Sequence, residues 1–361
     1  MLPHVERAAE LDPMNPSILN VLAQTRGAAL DYEGVWEARY QRWLLEPLDA
    51  ETTEIASDAA TFDMESLADQ FDRDYVEGHL DPNERLRAQS RMAERQGDLS
   101  EAVRLRFEAL PKEPGSLRSY NLTRLGMMRN AVGLKDPAIP SPGRAMAHTI
   151  LAGELPSAEE MDRAGIWDID FFMTWRLSRT TAKLMADEGR YEELLSIFDK
   201  FFNGPDDFRG KLATSYHGGL RKLVSIAPYL VIALREEGRA EEADRMIELA
   251  IAEARASERH GRIPEFAHVE AARIHAVARD RARAVRHLEQ AIEGDWHLSF
   301  PQDLFPGGRD ASSDSALTLL RGHPVIARFD RQLNGWRDRE RPQVKAIFDV
   351  WDERIANDVY H

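Results

Sequence analysis

The aromatic residues Trp36, Tyr40 and Trp43 stand four and three residues apart, so one face of a predicted helix gathers all three. Aromatics at that spacing pack a core, and a ligand-binding role is the lesser alternative. Helical stretches of this kind are punctuated at a near-constant interval. The segment "AAELDP" ends at Pro13, "WLLEPLDAE" carries Pro47, "EGHLDPNE" carries Pro82 and "EALPKEPG" carries Pro114, giving intervals of 34, 35 and 32 residues. A fixed period of this length marks a repeat built from one helix-turn-helix unit.

Between successive prolines, two helical stretches are joined by a short turn. The turn recurs as "LDYEG" (30–34), "QGDLSEA" (96–102), "EGRYEEL" (188–194), "EGRAEEA" (237–243) and "RDRARA" (279–284). In each, a glycine or polar residue ends one helix, and acids or a small residue open the next. Ala102, Ala243 and Ala284 fall at the same point of their helices, where a small side chain lets the paired helix approach closely.

Leu19, Leu22 and Ala23 in a first helix, Gly97, Asp98 and Gly238 at the turn, Ala109, Leu110, Ala250 and Ile251 late in a second helix, and the closing prolines together resemble the tetratricopeptide repeat family. The likeness covers residues 1–114 and 175–295. It departs at Val35, where a small residue is expected, and around residues 50–80. The resemblance implies an all-α, right-handed superhelical solenoid that binds peptides in a groove lined by first helices.

Four segments follow: an N-terminal stack over 1–134, a connector over 135–174, a second stack over 175–298, and a loop with capping helices over 299–361. The connector holds the proline-rich "LKDPAIPSPGR" and a helix start with Ser157 as cap and Glu159 and Glu160 in its first turn. The last segment begins with Ser299–Ala316, whose prolines, glycines and polar run read as a loop; helical pattern resumes at Leu317. The stretch Leu320–Pro324 with Phe329 is similar to the ends of tetratricopeptide arrays in bacterial signalling proteins, where a winged-helix or cyclase module is attached. At the other end, "AAELDPMNPS" reads as the exit of a second helix whose first helix is missing. Either the chain is cut from a longer protein, or Leu2–Leu11 docks onto something else.

Composition narrows the chemistry. The chain has 361 residues, no cysteine and a net charge of −15, of which −12 falls in residues 1–80. Thiol catalysis and thiolate metal sites are excluded, and the acidic first quarter argues against a nucleic-acid surface there. The longest nearly apolar run, Ser225–Leu234, is about half of a membrane span, and the N-terminus does not read as a secretory signal. A cytoplasmic protein with no membrane or direct nucleic-acid partner is expected.

No phosphate loop, His-Glu-x-x-His pair, nucleophile elbow or calcium loop occurs. "YHGGL" (216–220) is similar to an oxyanion loop but has no elbow serine. His268 and His275 share a helix face, with His287 on the next helix, and read as packing histidines rather than metal ligands. Neither catalytic residues, metal nor cofactor is expected; an enzyme using a cleft around His217, His268 and His275 is the remote alternative.

Arginine stripes are more informative. Arg87, Arg91 and Arg95 follow at four-residue steps on one predicted first helix, and Arg176, Arg179 and Lys183 form a second stripe. With Asn20 and Gln24, they are the expected groove-lining residues. Guanidinium groups in a concavity grip carboxylates, so the candidate partner is a protein or peptide, with an acidic segment favoured. The competing reading pairs Arg87 and Arg91 with Glu54 and Asp58 of the preceding helix. The expected function is a peptide-binding scaffold, the regulatory or docking arm of a bacterial signalling or transcription-control protein, with self-assembly into a homo-oligomer as the alternative.

Overall fold

A computed structural model describes residues 2–29, 31–47, 65–78, 81–112, 125–126, 128–129, 131–134, 149–150, 153–163, 172–214, 222–259, 265–294 and 308–358. The fold is all-α. In the N-terminal half lie α1 (Leu2–Leu11), α2 (Pro16–Ala28), α3 (Tyr32–Leu45), α4 (Glu65–Gly78), α5 (Pro82–Arg95) and α6 (Leu99–Ala109). After α7 (Ala158–Arg163) come α8 (Phe172–Asp187), α9 (Tyr191–Phe201), α10 (Pro205–Thr214), α11 (Lys222–Glu236), α12 (Ala240–Arg259), α13 (Glu265–Val277) and α14 (Arg281–Glu293). Two 3-10 helices, Ala311–Ser313 and Ser315–Leu320, lead into the long α15 (Pro324–Asp358). Helices adjacent in sequence pack as pairs, foremost α2 with α3, α5 with α6, α11 with α12 and α13 with α14, a helical-repeat arrangement.

The pairs share one turn. The backbone N–H of Asp31, Asp98, Arg190, Arg239 and Asp280 donates to the carbonyl five residues earlier, at 2.9, 3.0, 2.9, 2.7 and 2.8 Å. At Asp98, Arg190, Arg239 and Asp280 this is the bond of a Schellman helix end, with the preceding residue in the left-handed region. Gly97, Gly189 and Gly238 supply it at φ 76°, 74° and 74°. The next helix is then capped by the carboxylate of Asp31, Asp98 or Asp280, which accepts the N–H of Gly34, Glu101 or Arg283. At Arg190 and Arg239 the guanidinium Nε instead reaches Glu193 and Glu242, both at 2.7 Å.

Close helix approach follows from the small residues. Ala102, Ala243 and Ala284 are fully buried, and the Ser90 hydroxyl of α5 donates to the Ala102 carbonyl of α6 at 2.9 Å. Val35 is buried at the equivalent, larger position. Helix starts obey local chemistry too. Pro16 and Pro82 open α2 and α5 behind the caps Asn15 and Asp81. Ser157 and Glu160 form a reciprocal capping box at α7.

Leu2, Val5 and Ala9 of α1 pack on Leu22, Ala23, Val35 and Ala38, so Leu2–Leu11 docks on the first complete pair. Packing also crosses the expected break between stacks. The second-stack helix α10 touches α2, and α15 packs on both α6 and α14. Trp336 of α15 donates its indole N–H to the Gly97 carbonyl at 3.3 Å, and the Glu340 carboxylate accepts the Ser100 N–H at 3.0 Å, capping α6 from outside. Phe107 meets Phe348 edge-on and stacks on Trp351.

The stretch Ser299–Ala316 departs from a plain loop. Its described part folds into the two 3-10 helices because carboxylates cap them: Asp330 accepts the N–H groups of Ala311 and Ser312, and Asp314 accepts that of Ala316. Among the described residues, no helix is long and apolar enough to cross a membrane.

Candidate functional site

The first helices of the second stack are buried around their whole circumference. Residues 178–186 of α8, 223–231 of α11 and 269–277 of α13 are all buried, where an amphipathic helix lining an open groove keeps one face in water. The 3-10 segment lies on them, packed against α13, α11, α14 and α8. In a 3-10 helix, side chains three residues apart eclipse one another. Within Ser315–Leu320, Leu317 and Leu320 follow at that step; they, Ala316, Ala311 and the extended linking residue Asp314 are 2, 0, 1, 1 and 1 % exposed and face inward. Ser312, Ser313, Thr318 and Leu319 face outward.

Asp314 is the polar centre of this inward face. Its Oδ2 accepts from Arg273 Nε at 2.9 Å, lies 2.7 Å from Arg273 Nη2 and 3.0 Å from Lys183 Nζ, and takes a longer bond from the Tyr229 hydroxyl at 3.4 Å. Its Oδ1 accepts the Ala316 N–H at 3.0 Å. Asp187 completes the set: Oδ1 accepts the Ser315 N–H at 2.9 Å, and Oδ2 accepts from Lys183 at 2.9 Å and Arg309 at 3.2 Å. Lys183 therefore bridges a carboxylate of the repeat and one of the segment. Every oxygen of both acids has a donor, the condition under which buried charges are tolerated.

The electrostatics follow. Burial alone would raise the Asp314 carboxyl, but the adjacent Arg273 and Lys183 outweigh it and hold the pKa at about 2. Burial pushes the Tyr229 hydroxyl well above its ordinary value, so it stays a neutral donor. The arrangement grips a carboxylate and contains no nucleophile-base pair aimed at an open space.

The two arginine stripes have different fates. Arg179 and Lys183, expected along an accessible groove, are 6 and 2 % exposed; Arg179 faces Glu270 at 3.5 Å and Lys183 belongs to the Asp314 cluster. Lys183 is inside because Asp314 of the 3-10 segment lies on it, and Arg179 because α13 brings Glu270 against it. Arg87 pairs with Glu84 at 2.9 Å on its own helix, and Arg91 with the buried Asp72 of α4 at 2.8 Å. Pairing to the preceding helix is thus present, through Asp72; Glu54 and Asp58 lie outside the described residues, as do the side chains of Arg95 and Arg176. Asn20 and Gln24 are half-buried on α2. Glu84 also accepts from the Tyr75 hydroxyl, whose pKa burial and that carboxylate push up to about 12.

The histidines pack on one another. His268 Nδ1 and His287 Nδ1 are 3.0 Å apart, one serving as donor, and His275 stacks on His287 with ring centroids 5.3 Å apart. Among the described residues no group of three or more His, Asp or Glu side chains is arranged to hold a metal ion. His217 and the "YHGGL" stretch lie outside the described residues. Trp36, Tyr40 and Trp43 surround Phe71 of α4, at 6.2, 6.4 and 4.7 Å between ring centroids, and join α3 to α4.

The groove-filling segment was hidden in the sequence. Asp314 sits in a polar run that reads as a loop, and Arg273 is the one arginine of α13 and belongs to no stripe. The available signal is the three-residue spacing of Leu317 and Leu320 behind Asp314, which caps their helix. The chain matches no model of a known protein family, and no curated protein matches it.

Proposed function

We propose that this chain is a protein- or peptide-binding scaffold that serves as the docking arm of a bacterial signalling or transcription-control protein in the cytoplasm, without enzymatic activity or cofactor. One observation carries the reading: helix pairs are joined by turns closed by the same five-residue backbone bond, at Asp31, Asp98, Arg190, Arg239 and Asp280. Stacked identical units bury their apolar faces on one another and leave extended surfaces for recognition. The tetratricopeptide-like positions support the finer family reading, and fold-level likeness supplies the step to partner binding. With α8 covered, the accessible part of the expected groove is the N-terminal one, where Asn20, Gln24 and Arg87 are half-buried. The test is capture of binding proteins by the immobilised full chain beside its Gln24→Glu/Arg87→Glu variant. Loss of capture with unchanged helicity supports the reading; undiminished capture overturns the groove assignment, and no capture by the wild-type chain overturns the scaffold.

A further inference from the structure

We infer that the groove of α8, α11 and α13 is a peptide site held by the chain's own Arg309–Leu320 segment, and that it takes in trans an acidic peptide in which leucines follow an aspartate at three and six residues. This rests on the scaffold reading and assigns a second, occupied site to it. The segment meets the repeats as a ligand would. It turns Ala311, Asp314, Ala316, Leu317 and Leu320 inward, while Ser312, Ser313, Thr318 and Leu319 are exposed.

The recognition chemistry is divided cleanly between the two parties. The repeats supply Lys183, Arg273, the Tyr229 hydroxyl and the Asp187 carboxylate; the segment supplies the Asp314 carboxylate, the Ser315 N–H and Arg309. A carboxylate caught by a guanidinium and an ammonium, with apolar side chains seated beside it, is a general mode of peptide recognition. Ala316 joins the core of α8 and α11, whereas Leu317 and Leu320 join that of α13, α14 and α15, so the segment lies along the seam between the two cores.

The segment is also bracketed by two glycines in the left-handed region. Gly308 and Gly322 adopt φ 72° and 80°; a Cβ at Gly308 would stand 3.1 Å from Gly133 Cα, whereas one at Gly322 would meet nothing within 4 Å. From the solvent side it is held by α15, through Asp330 to the Ala311 and Ser312 N–H groups and Arg337 to the Arg309 carbonyl. Asp330 touches the segment without touching the groove side chains that hold Asp314, so loosening it favours release while leaving the site intact.

Two measurements on the full chain test this. In hydrogen exchange of the unmodified protein, amides of Ala311–Leu320 are expected to exchange at least about tenfold faster than those at the centres of α11 and α13, through a local opening. Exchange of the segment in step with those helices would overturn the inference. In the second, a fluorescent peptide of residues 309–322 is titrated onto wild-type chain and the Asp330→Ala variant. The peptide should bind the variant at least about tenfold more tightly, and the peptide carrying Asp314→Asn should lose that binding, since a buried charged contact is worth a factor of this size or more. Absence of binding to a folded Asp330→Ala variant, or equal binding by the Asp314→Asn peptide, overturns the proposal. Neither result bears on capture at Gln24 and Arg87, so the scaffold reading stands or falls separately.

Discussion

Arg279 adopts at φ 63° the left-handed backbone conformation that Gly238 adopts at 74° in the turn before it. Both residues sit one position ahead of the N–H that closes the Schellman bond. Glycine is free to do so, whereas an L side chain is strained by about 1 kcal/mol. Arg279→Gly should therefore stabilise the chain, by about 0.5 kcal/mol once the added freedom of the unfolded glycine is set against the relieved strain. Gly238→Ala should destabilise it by about 1 kcal/mol. Urea unfolding of the three proteins, with unchanged m-values, checks the opposite signs.

Gly34 is required for a different reason, closeness rather than conformation. A Cβ there would stand 2.2 Å from Asp31 Oδ2 and 2.5 Å from Arg26 Cδ. Asp31 caps α3 through the Gly34 N–H, and Arg26 Nη1 bonds the Gly34 carbonyl at 3.1 Å. Gly34→Ala must displace the cap, so a loss of about 1–2 kcal/mol is expected. Thermal unfolding of this variant beside Gly210→Ala, whose Cβ would meet nothing within 4 Å, separates the clash from helix propensity.

The repeat was legible wherever a local rule decides the structure. Gly97, Asp98, Gly189 and Gly238 mark turns because the chain there must enter the left-handed region and then cap a helix; Ala102, Ala243 and Ala284 mark close approach because a small side chain permits it, while Val35 and Leu194 are buried at the same point of their helices. The candidate site was much less legible. Lys183 looked like a groove cation by its helix register, but its burial depends on Asp314, which lies 131 positions further along the chain. Neither residue has a local preference for the other. Likewise Trp336 and Glu340 carry no sign in their own helix that they complete the turn at Gly97 and cap α6.

Asp314→Ala removes the carboxylate that faces Arg273 and Lys183 and leaves both cations buried beside Tyr229. Breaking a buried pair from one side costs about 3–5 kcal/mol. Asp314→Ala combined with Lys183→Met should cost less than the sum of the single changes, because the second change removes a charge the first left uncompensated. A double-mutant cycle by denaturant unfolding gives the coupling; strict additivity would mean that Lys183 and Asp314 do not interact.

Two buried carboxyls, Asp314 and Glu340, and the half-buried Asp330 should give stability a maximum in mildly acidic solution. Asp314 has a folded pKa of about 2, below its unfolded value, so its contribution is present above about pH 4 and is lost as pH falls toward 2. Glu340 and Asp330 are shifted the other way, because burial raises both carboxyls more than the amides they accept from lower them. Each binds its proton more tightly folded than unfolded, and stability therefore falls as pH rises from the unfolded pKa through the folded one. Glu340→Gln should remove part of that fall, since an amide oxygen can still accept the Ser100 N–H. Asp314→Asn should flatten the steep acid limb below pH 4. Unfolding free energies of the wild type and both variants across pH 2–8 check the two slopes, and an acid limb unchanged in Asp314→Asn would assign it to other carboxyls.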